Sequence, residues 1–158
     1  MNDQDIVALY WSRSEHAIAE SERKYGQYCY TVAYNILNSR EDAEECVNDT
    51  WLRAWESIPP QRPERLSTYL GKLCRNLSLN RYKQLHTEKR GMGQVTAALE
   101  ELEQYVPSPS ADVGQQVANE LALTAAIERF LTAQPPRRRN IFIRRYFAMT
   151  PIREIAAH

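Results

Sequence analysis

No apolar run in the 158-residue chain approaches the roughly 20 residues that a membrane-spanning helix needs, so membrane insertion is excluded. The N-terminal stretch MNDQDIVALYWSRSEH lacks the basic-then-apolar layout of a secretory signal, and a cytoplasmic protein is expected. Cysteine is scarce. Cys29, Cys46 and Cys74 lie far apart, with no CxxC and no histidine at metal-ligand spacing, which argues against a disulfide framework or a zinc site. They read as reduced, half-buried thiols. Glycine numbers five, and neither GxGxxG nor GxxxxGK[ST] occurs, so no phosphate-cradling loop is supported. The three histidines sit in no catalytic context. No acid–base pair, nucleophile or metal cluster converges in sequence, and the expectation is a protein without catalysis and without a cofactor.

The overall charge of zero conceals a segmented distribution. Residues 1–38 carry a net −2, residues 39–59 a net −4 and residues 60–93 a net +6. Residues 94–128 carry −6 and residues 129–158 carry +6. A charged helical surface explains any one of these blocks. Three successive sign changes point instead to two polyanion-facing units separated by a segment that avoids or imitates a polyanion.

Apolar residues recur at helical spacing and strict alternation is nowhere sustained, which predicts an all-α protein. A short opening helix is expected from Asp3 to about Trp11. A longer one begins at Ser14, with Ile18, Tyr25, Cys29, Val32 and Ile36 on one face. Ser39 followed by Asp42 resembles a capping box, and the helix it starts is stopped by Pro59-Pro60. Its buried face is expected to be Ala43, Val47, Trp51, Ala54 and Ile58. A proline-stiffened basic loop follows, then a helix from Leu66 to about Glu88 with Leu66, Leu70, Leu73 and Leu77 inward. Gly91-Met92-Gly93 breaks it, and VPSPS at 106–110 has linker composition. This gives two small helical domains, 1–90 and 115–158, joined by a flexible acidic linker over 91–114 that holds a short helix to Tyr105. In the second, Val117 to Ala133 is amphipathic and Pro136 opens a helix through Phe147. Thr150-Pro151 reads as an N-cap with a first-turn proline, the usual opening of a helix-turn-helix unit.

Two surfaces carry candidate chemistry. The helix from Asp42 to Trp55 presents Glu41, Glu44, Glu45, Asn48, Asp49 and the apolar Leu52 away from its core stripe. This is either a solvated acidic face or a docking surface with Leu52 as its anchor. From Gln61 to Arg90, basic residues interleave with amides and aromatic rings. Arg62, Arg65, Lys72, Arg75, Arg81 and Lys83 can neutralise phosphates. Asn76 and Asn80 share a face with Lys72 and offer amides to base edges. Tyr69 and Tyr82 supply flat rings for stacking, although Tyr69 also suits the core. That mixture fits an opened nucleic-acid strand.

The segment DAEECVNDTWLRAW at 42–55 resembles the DAEDLVQETFLRAW stretch of bacterial sigma factors of the extracytoplasmic-function branch. LSTYLGKLCRNLSLNR at 66–81 is similar to the family's FRAWLYRIARNLALDR stretch, and Leu131 to Ala157 is similar to its LPERQREVLLLRY…EIA region. The resemblance implies a dissociable, non-catalytic subunit of RNA polymerase. Carried over by position, Asp42, Glu45, Asn48, Asp49 and Leu52 contact the clamp helices of the polymerase's largest subunit. The loop and helix after them recognise the minus-ten element and hold its non-template strand open. Arg62, Arg65, Ser67, Tyr69, Lys72, Arg75, Asn76, Asn80 and Lys83 are the DNA-facing residues implied, with loop residues lining a pocket for a flipped base. The acidic linker lies along the RNA exit path, and an anti-sigma factor is a further candidate partner.

The chain departs from the family at Tyr69, often Trp, and at Asn80, an aspartate in the family. It also stops before the helix that reads the minus-thirty-five element, so weak binding of that element is expected. A competing function is an interaction-only protein that occupies polymerase or an anti-sigma partner without starting transcription. The discriminating segment is Gln61 to Asn80, which an initiation factor needs for single-stranded promoter DNA.

Overall fold

The computed structural model describes residues 1–86, 94–103 and 113–157. Every regular element among them is helical, as the apolar spacing predicts. Helix α1 spans Asp3–Trp11 and begins with a reciprocal cap: the Asn2 side chain accepts from the Asp5 N–H at 2.9 Å, and the Asp5 carboxylate accepts from the Asn2 N–H at 3.2 Å. Helix α2 spans His16–Leu37 and ends on Asn38, which adopts the left-handed conformation at φ 51° and donates its N–H to the Tyr34 carbonyl.

Helix α3 spans Arg40–Ser57. Its first turn is capped by Ser39, whose hydroxyl accepts from the Asp42 N–H at 3.3 Å. The other half of the expected box is replaced by a tertiary pair, because the Asp42 carboxylate turns to Arg81. Helix α4 spans Leu66–His86 after the proline-rich loop.

Helices α2, α3 and α4 pack on one another, and α1 lies against α2 and α4. The core they enclose includes Tyr10, Val32, Ile36, Trp51, Ala54, Ile58, Leu66 and Leu70. Helix α4 enters this core along Leu66, Leu70, Gly71, Cys74 and Ser78. Leu73 and Leu77, expected inward, are only half-buried; Leu77 sits at the edge of a cleft facing α3. Gly71 permits the close approach of α2, since a methyl group there would meet the Tyr28 ring at 2.9–3.0 Å.

Polar groups taken into the core are satisfied locally. Tyr10 and Ser21 share a hydrogen bond of 2.9 Å, and the Thr50 and Ser78 hydroxyls donate to the carbonyls four residues back. Cys29, Cys46 and Cys74 are fully buried rather than half-buried, each a free thiol. Cys74 donates to the Cys29 carbonyl at 3.2 Å. The hydrogen bond with Cys74 and burial hold the Cys29 thiol far above the ordinary range.

Part of the segment expected as linker is helical: α5 spans Gln94–Glu103, and α6 spans Val113–Ala133. The expected continuation of α5 to Tyr105, the glycine break at 91–93 and the VPSPS stretch lie outside the described residues. Helix α7 spans Pro136–Phe142 and continues as a π-helical turn over Ile143–Phe147, and α8 spans Ile152–Ala156. Thr150 does not cap α8. It is buried beside Arg145, which donates to its carbonyl at 3.3 Å, and Pro151 occupies the cap position. No described helix is long and apolar enough to cross a membrane.

Candidate nucleic-acid interface

Helix α4 sorts its side chains by register. Lys72, Asn76, Asn80 and Lys83 fall on one line of i, i+4, i+8 and i+11, and all four are exposed. They continue from the loop that carries Arg62 and Arg65, both exposed. Ser67, in the first turn, is half-buried. Tyr69 is half-buried too, with its hydroxyl donating to Ser57 Oγ at 2.7 Å, so its ring spans the end of α3 and the base of the loop. Its two expected roles, core residue and surface ring, are compatible in this position. Tyr82 instead stacks on His86 with ring centres 4.0 Å apart.

The remaining two arginines of α4 leave this stripe in opposite directions. Arg75 turns to the C-terminal part of the chain. It donates to the carbonyl of Phe147 at 3.0 Å and to that of Tyr146 at 3.4 Å, and lies 5.3 Å from the centre of the Phe147 ring. Burial pushes its guanidinium down from its usual range. Asn35 on α2 fixes the same segment by donating to the Ala148 carbonyl at 2.9 Å. Arg145 completes the arrangement by pairing with Glu101 of α5 at 3.0 Å through its Nε.

Arg81 turns to α3. It donates to Asp42 at 2.9 Å and to Glu45 at 2.8 Å. The Ser39 and Arg81 side chains hold the Asp42 carboxyl below its ordinary value. Asp42 is therefore half-buried in a structural ion pair, whereas Glu45, Asn48, Asp49 and Leu52 are exposed. These four fall at i, i+3, i+4 and i+7, so they share one face of α3. Leu52 is 56% exposed, an apolar side chain among polar ones.

The acidic face of α3 and the amide-bearing face of α4 meet in a cleft of about 220 Å³ lined by Glu45, Asp49, Leu77, Asn80, Arg81 and Gln84. Asn80 is thus shared between the two surfaces. The bridging role of Arg81 was not visible from composition, because ion pairs 36 and 39 residues apart leave no local trace. Among the described residues no cluster of His, Cys, Asp and Glu is arranged to hold a metal ion.

Residues 23–87, from within α2 to the end of α4, match the sigma-70 region 2 family. The ECF RNA polymerase sigma factor SigE of Mycolicibacterium smegmatis is 25% identical over 118 residues. The alignment covers 74% of this chain and 43% of that relative, less than half of its length. No solved structure matches. Together these likenesses place a sigma-70 region 2-like segment on the helices that carry the α3 and α4 faces, and mark the chain as similar to sigma factors of the extracytoplasmic-function branch.

Proposed function

We propose that the chain acts in transcription initiation as a sigma factor, docking on core RNA polymerase and holding the minus-ten element open. The observation that carries this reading is the division of labour between adjacent helices. Helix α3 exposes an acidic face with Leu52 at its end, and α4 exposes Lys72, Asn76, Asn80 and Lys83 in one line after a basic loop. An apolar side chain among acids suits a partner helix with a basic, partly apolar surface. The clamp helices of the polymerase's largest subunit are the partner that the likeness to sigma-70 region 2 supports.

The α4 stripe suits an unpaired strand for separate reasons. Lysines supply a salt-sensitive grip on phosphates. Side-chain amides pair with base edges. Extruding a base costs a few kcal/mol, and stacking and hydrogen bonding with the loop residues and Tyr69 offset it in this reading. No step here forms or breaks a covalent bond, so the chain contributes recognition and the polymerase contributes chemistry.

The test is in vitro transcription with core polymerase on a promoter library. Promoter-dependent transcripts are expected, with a changed preference at one or two minus-ten positions in Asn76→Ala and Asn80→Ala. An unchanged preference in both variants overturns the base-reading assignment.

A second reading is favoured by one observation: Arg75 is occupied by Phe147 and Tyr146. In it the chain occupies polymerase or an anti-sigma partner without initiating. It predicts polymerase binding with no retention of the single strand.

A further inference from the structure

The loop between α3 and α4 has little internal hydrogen bonding, and α1 holds it in place. At its end, the Leu66 N–H that opens α4 donates to Asp3 Oδ2 at 3.1 Å. Two residues before it, Gln4 Nε2 donates to the Glu64 carbonyl at 3.1 Å. Nearer its start, the Arg62 guanidinium lies 5.6 Å from the centre of the Trp11 ring. Gln4 and Trp11 are two helical turns apart and share a face of α1. The loop therefore runs along that face, with Arg62 at the C-terminal end of α1 and Leu66 at the N-terminal end. Asp3 is itself anchored to α2, accepting from Lys24 Nζ at 2.7 Å and from the Tyr25 hydroxyl at 2.5 Å. One carboxylate thus ties α1, α2 and the start of α4 together, and the loop is held in register with Trp11.

Trp11 is 43% exposed, although it is among the largest apolar side chains in the molecule. Arg62 lies against its ring, and Arg13, two residues later in the chain, lies over Trp55. An exposed indole with a guanidinium group against it matches an unpaired nucleobase, which stacks on the ring while its phosphate meets the cation. An apolar peptide would find this surround unfavourable.

We propose that Trp11 and Arg62 form a stacking subsite for one unpaired base of the bound strand. Its aromatic platform, Trp11, lies on α1, outside residues 23–87, and the subsite rests on the single-strand reading given above. The nine residues of α1 span about 13 Å at 1.5 Å per residue. An unpaired strand gripped at the start of α4 spans that distance within a few nucleotides. The base rests on the exposed part of the indole, and Arg62 stays close enough to meet the adjoining phosphate.

The experiment uses the full chain and a single-stranded minus-ten oligonucleotide carrying 2-aminopurine at one position at a time. For the unaltered protein, quenching is expected at the bases held by α4 and at one further position outside that run. Trp11→Leu should abolish quenching at that further position alone and weaken binding by roughly tenfold. Trp11→Phe, which keeps a flat ring, should restore most of both. Identical quenching profiles for the unaltered protein and Trp11→Leu overturn the subsite and leave the α4 reading standing. Failure of the unaltered protein to retain the oligonucleotide overturns the single-strand reading itself, and the subsite with it.

Discussion

The Arg75 guanidinium sits over the Phe147 ring at 5.3 Å and donates to the carbonyls of Phe147 and Tyr146. The same side chain is one of the proposed DNA-facing residues, and under that proposal the C-terminal segment and a DNA strand compete for it. Phe147→Ala should therefore raise affinity for the single strand by roughly two- to tenfold, the range expected from losing one partly desolvated cation–π contact. In an Arg75→Ala background the same substitution should change nothing. Fluorescence anisotropy on the four proteins of this double-mutant cycle measures the coupling directly.

Leu52 is exposed on α3 beside Asn48 and Asp49 and contributes little to the core. Leu52→Ala should alter unfolding free energy by no more than about 0.5 kcal/mol. Its effect on core polymerase binding should be far larger, a loss of at least tenfold, because an apolar anchor in a docking face carries much of the affinity. Denaturant unfolding and surface-immobilised polymerase binding give the two numbers. Equal binding by both proteins contradicts the docking assignment.

Gly71 stands where α4 crosses Tyr28. Alanine there would gain up to about 1 kcal/mol of helix propensity. It would also drive a methyl into the Tyr28 ring, at a typical overpacking cost of about 1–3 kcal/mol. The clash should win, and Gly71→Ala should destabilise the protein. In a Tyr28→Ala background the sign should reverse. Both outcomes are read from urea unfolding midpoints.

Acid should weaken the bundle through two aspartates. The Ser39 and Arg81 side chains hold Asp42 below its ordinary value. Burial pushes Asp3 up, but hydrogen bonds from Lys24 and Tyr25, the Lys24 charge and the Leu66 N–H outweigh it, and Asp3 also sits low. A carboxyl with a depressed folded value contributes fully above the unfolded value of about 3.8. That contribution is lost as pH falls from there through the lower folded value. Asp42→Asn and Asp3→Asn should each flatten part of the stability–pH curve below about pH 4, with the curve above pH 5 kept parallel to that of the unaltered protein.

Much of the bundle is legible in the sequence because its signals are local. The Ser39 cap, the proline stop after α3 and the apolar spacing of α1 to α4 are all read within a few residues. The exposed line of Lys72, Asn76 and Asn80 follows from helical register alone. What the sequence hides is set by chain crossings. Asp3 caps α4 from 63 residues away, Arg81 leaves its stripe for Asp42, and Arg75 turns to Phe147 across 72 residues. The inward set of α4 is legible in the sequence at Leu66 and Leu70 only. Leucine spacing favours Leu73 and Leu77, yet the small Gly71, Cys74 and Ser78 lie inside because α2 approaches closely there. Thr150 has the composition of a cap, but its burial beside Arg145 puts it to another use.

The account turns on whether the chain carries a melted promoter strand to the polymerase. The most direct measurement is retention of a labelled minus-ten non-template strand by core polymerase, with and without the chain, over a salt series. The account predicts retention that requires the chain, falls steeply with salt and loses about one unit of log–log slope in Lys72→Ala. Retention that is the same without the chain, or a complex of chain and polymerase that ignores the strand at low salt, would contradict it.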